Sequence, residues 1–286
     1  MSVRIARTIE ECRAAVDAEK KKGRRIALVP TMGALHEGHL SLIDRACELA
    51  DAVVVSVFVN PTQFAAGEDF EEYPRDLHRD LRLAEDRGAA IVFAPALEEM
   101  YPRPLLTTVT MEGITDGLEG THRPGHFDGV LTVVAKLLHI VEPDVAVFGQ
   151  KDAQQAAAIR RMVADLDFPV EIAIAPTVRG PDGLALSSRN AFLSASDRSE
   201  ALALHAALKR AEALARSGVE DAEPLLEAMR EELARHPAIQ VDYVALVERD
   251  SFRPVSRVSG PSVAAVAARV GGTRLIDNVV IGTRER

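Results

Sequence analysis

Two histidines in a short polar turn are the residues whose types and spacing first suggest chemistry. His36 and His39 lie three positions apart in the stretch PTMGALHEGH, residues 30–39. An apolar run precedes this stretch and a helical pattern follows it. A strand, a turn and a helix N-terminus in this order present unpaired backbone N–H groups to an anion. Two imidazoles at the same place suit the phosphates of a nucleoside triphosphate.

Two other interpretations of the histidine pair stay open. A zinc ion could bind it, although the zincin motif spaces its histidines four apart with Glu beside the first, and no third ligand is evident. The two could also be unrelated surface histidines. Gly38 between them, which lets a ligand approach the backbone, and the strand before them favour a built turn over that alternative.

Later segments deliver polar side chains to the ends of predicted strands. Asn60 and Gln63 follow a β-branched run, and Lys151 follows a second buried-strand pattern, with Gln154 three residues on. Because ligands of open parallel sheets bind outside the carboxyl ends of the strands, we expect these side chains to meet the histidine turn. Lys151 could instead be a solvated lysine at a helix start. A loop further on adds hydroxyls and a guanidinium that suit phosphate oxygens: Ser187, Ser188 and Arg189.

The elements that must position these residues form an α/β pattern. Hydrophobic periodicity predicts strands at residues 25–29, 52–59, 89–93, 107–110, 144–149 and 170–174, and helices at 8–22, 40–50, 76–87, 129–140 and 150–165. Thr8 and Glu11 form a capping box at the first helix. Unbroken β-branched runs are typical of parallel strands buried on both faces, and a strand–helix–strand order is a βαβ unit. The sequence therefore predicts a doubly wound parallel sheet.

The pattern changes near residue 185 to long helices followed by strands. We expect helices at residues 197–217 and 219–236 and strands at 239–248, 262–270 and 274–281. This part of the sequence shows no catalytic constellation. We therefore expect a first domain over residues 1–184 and a smaller α+β domain over residues 185–286, serving as lid, substrate wall or dimer support.

Composition excludes several classes of protein. A chain of 286 residues suits one large or two moderate domains, and a net charge of −9 argues against nucleic-acid partners and anionic membrane surfaces. Cys12 and Cys47 lack metal-site spacing and indicate a reducing compartment. The N-terminus has no signal-peptide pattern, and the longest apolar stretch is too short to cross a bilayer. We expect a soluble cytoplasmic protein.

Five stretches of the chain resemble the pantoate–β-alanine ligases, or pantothenate synthetases, of coenzyme A biosynthesis. They are PTMGALHEGHLSLI from Pro30, VFVNPTQF from Val57, RPGHFDGV from Arg123, VFGQKDAQQ from Val147 and DGLALSSRN from Asp182. The HxGH part alone would indicate only the wider nucleotidylyltransferase group. The resemblance implies a Rossmann-like N-terminal domain of the nucleotidylyltransferase type, a smaller C-terminal domain, a homodimer, and Mg²⁺ bound with ATP.

The resemblance also implies a two-step reaction. The carboxylate of pantoate attacks the α-phosphate of ATP, which gives pantoyl adenylate and pyrophosphate. The amine of β-alanine then displaces AMP and forms the amide of pantothenate. Both nucleophiles belong to substrates, which agrees with the lack of a Ser–His–Asp or Cys–His arrangement in the sequence. Catalysis would then depend on positioning and charge stabilisation.

Matching positions imply roles for individual residues. The catalytic set, with His39 as proton donor, is His36, His39, Lys151 and Arg189. The nucleotide would be bound, partly through backbone N–H groups, by Met32, Gly33, Ala34, Leu35, His36, Glu37, Gly38, His39, Gly149, Gln150, Lys151, Asp152, Val178, Leu186, Ser187, Ser188 and Arg189. Pantoate would meet Gln63 and Gln154, with Gln63 also near β-alanine, and further substrate contacts are expected from Asn60, Arg123 and Tyr73.

Some points stay open at this level. The metal ligands are unassigned, with Asp152 the nearest carboxylate, and the chain departs from many relatives at Gln150 (commonly Glu) and Asp128 (commonly basic or small). A nucleotidylyltransferase with a phosphate acceptor would favour cationic side chains over Gln63 and Gln154. A nucleotide-binding sensor without turnover and a zinc hydrolase on the histidine pair are the other rival functions.

Overall fold

The computed structural model describes residues 3–64 and 70–282. In these ranges the strands are β1 Arg4–Ala6, β2 Ile26–Thr31, β3 Ala52–Val57, β4 Ile91–Phe93, β5 Val145–Gly149, β6 Glu171–Ala175, β7 Ile239–Glu248, β8 Ser262–Val270 and β9 Thr273–Ile281. The helices are α1 Ile9–Lys20, α2 Glu37–Leu49, α3 Leu77–Asp86, α4 Leu97–Met100, α5 Glu119–His122, α6 His126–Val141, α7 Ala153–Asp165, α8 Ala195–Arg216 and α9 Ala222–Ala234. Short 3₁₀ turns lie at Pro61–Gln63, Gln150–Asp152 and Ser188–Phe192.

Strands β1 to β6 form one sheet in the order β1-β4-β3-β2-β5-β6, and every pairing in it is parallel. Strands β7, β8 and β9 form a separate antiparallel sheet. These sheets confirm the predicted α/β class with a smaller α+β part. The chain leaves the central strand β2 toward β3 and β4 on one side and returns at β5 on the other. A reversal of this kind opens a crevice at the carboxyl ends of the strands.

The parallel sheet is apolar on both faces because helices cover both. In β2, Leu28 packs with α1, α6 and α7, whereas its neighbour Val29 packs with α2 and α3. Successive side chains of a strand point to opposite faces, so a strand buried on both faces needs a nearly unbroken apolar sequence. This requirement accounts for the β-branched runs in the sequence.

The antiparallel sheet is also covered on both faces. In β8, Val263 and Ala265 belong to the core formed with the first sheet and its helices. Ala264 and Val266 belong to a second core with α8 and α9. The antiparallel sheet therefore packs against the parallel sheet and its helices on one face and against α8 and α9 on the other. This burial on both faces explains why β8 is apolar along nearly its whole length.

Some local expectations differ from the structure. Residues 107–110 are not a strand: they run in irregular backbone, where the N–H of Val109 donates to Thr132 Oγ1 at 2.9 Å. β-Branched residues favour a strand only where a neighbouring strand offers a free edge. Helix α6 begins at His126, earlier than predicted, after Gly125 in the left-handed conformation (φ 80°). Strand β1 was not predicted, since three residues give little periodicity.

Among the described residues, every helix is too short or too polar to span a bilayer. The predicted boundary at residue 185 stays a prediction, and Leu184 already packs into the core of the second sheet.

Candidate active site

A crevice at the carboxyl ends of β2, β3 and β5 gathers the predicted functional side chains. His36 and His39 follow β2, Gln63 follows β3, and Lys151 follows β5; all four line this crevice. The far wall is the loop that leads from β6 to α8, which contributes Arg189. Sheet topology brings these residues together even though up to about 150 positions separate them in the sequence.

The two histidine rings lie against each other at the start of α2. His36 is the N-cap, in extended backbone (φ −136°, ψ 173°), and its Nδ1 accepts the N–H of Gly38 at 3.1 Å. The ring centroids of His36 and His39 are 4.1 Å apart. The rings therefore meet because His36 caps the helix, and not because both residues lie on one helical face. A Cβ added at Gly38 would lie 2.8 Å from His36 Cε1, so this position requires glycine.

Both imidazoles are neutral near pH 7. Burial, with Lys151 nearby, lowers the pKa of His36 to about 4. Burial, and then the adjacent His36, lowers the pKa of His39 to about 3. Since His36 Nδ1 accepts a hydrogen bond, its proton lies on Nε2. His39 lines the crevice, and within the described part of the chain its Nδ1 is buried without a hydrogen-bond partner.

The turn before His36 is braced from behind by Asp80 of α3. The N–H of Ala34 donates to Asp80 Oδ2 at 2.9 Å, and the N–H of Leu35 donates to Asp80 Oδ1 at 2.8 Å. Asp80 is 1% exposed; burial raises its pKa, against the two N–H donors that favour the carboxylate. The brace also holds Ala34 at a left-handed φ of 50°. Replacement of Asp80 would therefore release a strained turn.

Four of the residues expected to bind the nucleotide along this turn lie outside the crevice, and their role stays a prediction. The N–H groups of Ala34 and Leu35 point to Asp80, and the N–H of Gly33 donates to Thr31 Oγ1 at 3.1 Å. Glu37 forms an exposed ion pair with Arg87 at 2.7 Å. None of these four residues lines the crevice, whereas Met32, His36, Gly38 and His39 do.

The 3₁₀ turn after β5 presents Lys151 and Asp152 to the crevice. Lys151 Nζ lies 3.5 Å from Asp152 Oδ1. Burial would raise the pKa of Asp152, but the ammonium of Lys151 outweighs it and holds that pKa below its usual value. Gly149 also lines the crevice. Gln150 does not, contrary to expectation: its Nε2 donates to Asn278 Oδ1 at 3.0 Å, so the side chain points to the second sheet.

The expected position of Gln154 is wrong. Its Nε2 donates to the carbonyls of Ile114 and Gly117, both at 2.8 Å, and its Oε1 accepts the N–H of Glu119 at 3.1 Å. Gln154 is 6% exposed and faces the interior. The adjacent Gln155 lines the crevice instead. The 3₁₀ turn before α7 shifts the helical phase, so counting three residues from Lys151 selects the wrong glutamine.

Asn60 is also not a lining residue, because it is fully buried under Gln63. Its Nδ2 donates to the carbonyl of Gly129 at 3.1 Å and to Gln63 Oε1 at 3.0 Å, while its Oδ1 accepts the hydroxyl of Tyr101 at 2.9 Å. A backbone carbonyl can only accept, so the orientation of the Asn60 amide is fixed. Gln63 Oε1 must then face Asn60, which leaves Gln63 Nε2 as the donor available to the crevice.

The remaining expected residues all line the crevice: Tyr73, Arg123, Val178, Leu186, Ser187, Ser188 and Arg189. Arg123 Nη1 and His126 Nε2 are 3.0 Å apart, and both side chains reach the carbonyl of Gln63, at 3.3 and 2.8 Å. Ser187 Oγ accepts the N–H of Arg189 at 3.3 Å and so caps the turn that carries the guanidinium. These contacts fix the positions of the side chains that line this wall of the crevice.

The sequence interpretation missed several lining residues. His126, Gln155 and Thr177 are polar, and Thr177 Oγ1 is buried without a partner in the described ranges. An apolar wall comes from Phe58 and one face of α6: Val130, Val133, Val134 and Leu137. The i, i+3, i+4, i+7 spacing of the α6 residues marks one helical face and was visible in the sequence, but it did not say that the face borders a ligand.

The arrangement can bind an anion beside a small acid. Cationic side chains, neutral imidazoles, hydroxyls, amide groups and an apolar wall line this one crevice, and Arg123 donates to the backbone carbonyl of Gln63 at 3.3 Å. A second chamber between the two sheets adjoins the crevice and shares Arg123, Lys151, Asp152, Ser187 and Arg189 with it. Such groups can stabilise charge and position reactants, and among the described lining residues no nucleophilic side chain is hydrogen-bonded to a base.

Comparisons with known proteins agree in family and fold. The profile of the family described as Pantoate-beta-alanine ligase matches residues 4–280. A protein from Heliobacterium modesticaldum named pantothenate synthetase is 52% identical over 98% of this chain and 99% of its own length. Its namesake from Moorella thermoacetica is 52% identical over 97% of this chain and 98% of its own.

Solved structures give the same result. The crystal structure of pantothenate synthetase from Thermus thermophilus is 47% identical and superimposes with a TM-score of 0.92, covering 97% of this chain and 99% of that chain. A pantoate-beta-alanine ligase from Francisella tularensis, complexed with beta-gamma ATP and beta-alanine, is 33% identical with a TM-score of 0.80, covering 99% of both chains.

Proposed function

Because this chain belongs to the pantoate–β-alanine ligase family, we propose that its crevice condenses pantoate with β-alanine to pantothenate. ATP is consumed, and pantoyl adenylate is the intermediate. The observation that carries this proposal is the joint placement of Lys151, Arg189 and two neutral imidazoles with the amides of Gln63 and Gln155 in one crevice. That set matches a triphosphate held beside a carboxylic acid.

The cationic side of the crevice binds the triphosphate. Lys151 supplies a point charge and Arg189 a planar fork of donors, and the hydroxyls of Ser187 and Ser188 add further donors. As pantoate attacks the α-phosphate, these groups stabilise the charge that develops on the phosphate oxygens. One preorganised donor in such a site typically contributes about 2.7–4 kcal/mol to the barrier reduction.

The two histidines complete the nucleotide side. A neutral imidazole donates an N–H to a phosphate oxygen without attracting the attacking carboxylate. We assign the proton-donor role to His39. Bound phosphates raise the pKa of this ring from about 3 in the free protein, because adjacent negative charge favours the imidazolium. The adjacent ring of His36, with its centroid 4.1 Å away, keeps His39 in place.

The amide side binds pantoate, which carries two methyl groups between its hydroxylated carbons. Those methyl groups suit the apolar wall that Phe58, Val130 and Val134 form. Gln63 Nε2 faces the crevice as a donor, and Gln155 lies on the same wall. Amide donors bind hydroxyl and carboxylate oxygens without forming an ion pair, so the carboxylate keeps its nucleophilicity.

Magnesium enters with ATP in this proposal. Asp152 places a carboxylate beside Lys151 on the crevice surface, with its side chain 46% exposed. One exposed carboxylate fits a cation that is held mainly by phosphate oxygens and water. Asp152 would hold the ion, which supplies further neutralisation of phosphate charge when bound.

We also propose a cytoplasmic homodimer with the domain boundary at residue 185. The segment of residues 102–108 is exposed throughout, with Leu106 98% exposed, and such an apolar surface fits contact with a second copy. Both cysteines are free thiols, as in a reducing compartment. Sedimentation of the wild type and of Leu106→Glu tests the dimer; a monomeric wild type contradicts it.

The direct test supplies ATP, Mg²⁺, pantoate and β-alanine and follows AMP and pantothenate. We expect AMP in amounts equal to pantothenate, and pyrophosphate exchange into ATP that needs pantoate but not β-alanine. A nucleotidylyltransferase or a sensor would form no pantothenate. Folded protein that yields none in this assay overturns the proposal.

A further inference from the structure

Asn278 of β9 is bound to the turn that presents Lys151. Its Nδ2 donates to the carbonyl of Gln150 at 3.0 Å and to the carbonyl of Lys151 at 2.8 Å. Its Oδ1 accepts Gln150 Nε2 at 3.0 Å. Asn278 is 6% exposed, so water competes little for these bonds. Both amide protons of one side chain from the second sheet therefore hold the two consecutive carbonyls of Gln150 and Lys151.

The preceding residue fixes Asn278 and a second part of the site. Asp277 accepts both terminal nitrogens of Arg179, at 2.6 and 2.9 Å, and its Oδ1 also accepts the N–H of Asn278 at 2.8 Å. Arg179 lies in the loop that leads to Arg189. It forms an isolated antiparallel β-bridge with Ala185 of the same loop. Asp277 and Asn278 thus connect the loop of Arg189 to the turn of Lys151.

The Lys151 turn depends on this outside support. Asn278 donates to the backbone carbonyls of both Gln150 and Lys151. Loss of a donor to a buried carbonyl costs free energy, so removal of this side chain should loosen the turn. Asn278 is itself held in register, since β9 pairs with β8 along its whole length. The position of the lysine is therefore set by the second sheet.

We propose that Asn278 is a positioning residue for the ligase reaction and that it acts through Lys151. This inference rests on the proposed role of Lys151 at the ATP phosphates. When the second sheet is docked, Asn278 holds the turn so that the ammonium faces the triphosphate. The residue itself touches neither the proposed nucleotide site nor the reacting atoms.

The test is a double-mutant cycle of Asn278→Ala and Lys151→Ala, read by ATP affinity in titration calorimetry with Mg²⁺. We expect Asn278→Ala to weaken ATP binding in the wild-type background and to have no further effect once Lys151 is absent. Pyrophosphate exchange should fall about 10²-fold in Asn278→Ala, the scale of a displacement of about 1 Å. The KM for pantoate should not change.

Tyr243→Phe is the matched control, because it removes a different bond between the two domains. Tyr243 of β7 donates to Glu119 Oε1 at 2.9 Å, and no hydrogen bond joins it to the Lys151 turn among the described residues. Its effect on ATP affinity should be the same with and without Lys151. Asn278→Asp keeps the size of the side chain but cannot donate, so it should weaken ATP binding as Asn278→Ala does. It replaces Asn278→Ala in the experiment if that variant does not fold.

An equal loss of ATP affinity from Asn278→Ala in both backgrounds overturns the inference, since the residue would then act only on domain docking. That result leaves the proposed function intact when wild-type protein forms pantothenate and Lys151→Ala is impaired. Failure of the wild-type assay, by contrast, would refute the proposed function itself.

Discussion

The turn after β2 and the turn after β5 both present functional groups to the crevice, but different parts of the protein hold them. The histidine turn has unpaired N–H groups, and a carboxylate, Asp80, accepts two of them. In the lysine turn an amide, Asn278, donates to two consecutive backbone carbonyls. Asp80 belongs to the same domain as its turn, whereas Asn278 comes from the second sheet. The histidine half of the site is therefore formed within the first domain, and the lysine half needs the second.

Removing the group that each turn presents should give the largest effect. We expect His39→Ala and Lys151→Ala each to lower turnover by about 10²–10³-fold, because each removes a donor to developing phosphate charge. The measurement is steady-state formation of AMP and pantothenate, with circular dichroism to show that folding survives. Lys209→Ala, an exposed lysine on α8 that pairs with Glu212, is the control and should be normal. Near-normal rates in both site variants would contradict the assigned roles.

Replacing Asp80, which accepts two N–H groups of the histidine turn, tests whether that turn is supported from within its own half of the site. Asp80→Asn keeps one acceptor but turns an NH₂ group toward the second backbone N–H. We expect unfolding to become easier by about 1–3 kcal/mol and turnover to fall at least about tenfold. Asp86→Asn, at the exposed end of the same helix, should change neither quantity. If denaturant titration shows Asp80→Asn to be as stable and as active as wild type, the carboxylate does not support the turn.

Two adjacent glutamines of α7 should differ in role, because Gln155 lines the crevice whereas Gln154 is buried. Gln155→Ala should raise the KM for pantoate about tenfold, with little change in stability. Gln154→Ala should leave the buried N–H of Glu119 and two carbonyls unpaired and destabilise the fold by about 1–3 kcal/mol. Each variant is the control for the other. The reverse assignment would follow if Gln154→Ala changed the pantoate KM and Gln155→Ala did not.

The last prediction concerns the pH dependence that the histidine half contributes to stability. Both histidines have folded pKa values below the usual 6.5, about 4 for His36 and about 3 for His39. The unfolded chain therefore binds more protons between pH 6.5 and 3, so their contribution to stability decreases as pH falls through that range. We expect the free energy of unfolding to fall as the pH is lowered from 6.5 toward 4. Denaturant titrations at several pH values should show the loss diminished in His36→Asn; an unchanged slope would contradict it.

Strong local patterns in the sequence were enough to predict most of the fold and the outline of the site. The β-branched run before Asn60 correctly predicted strand β3, and the capping box at Thr8 correctly predicted the start of helix α1. Both signals are local, because each depends on residues that are neighbours in the sequence. The carboxyl-end rule then placed Gln63 and Lys151 near the histidines. Their chemical roles stay a proposal that the assays above address.

What the sequence could not give were contacts between distant residues. Asp80 accepts hydrogen bonds from the N–H groups of Ala34 and Leu35, 46 and 45 positions before it. No sequence pattern near those two residues predicts this contact. Gln154 and Gln155 are chemically identical, so only the helical phase after a 3₁₀ turn decides which one faces the crevice. The strand expected at residues 107–110 had the right residue types but no partner.

The double-sided burial of β8 has a practical consequence for anyone who wishes to isolate the nucleotide-binding part. A fragment that stops at residue 184 would expose the surface that Val263 and Ala265 now cover, and it would lose the donors that hold the lysine. Such a fragment should aggregate, and any folded portion should keep its histidine turn but bind ATP poorly. The part of the chain after residue 184 thus completes both the hydrophobic core of the first part and the support of Lys151.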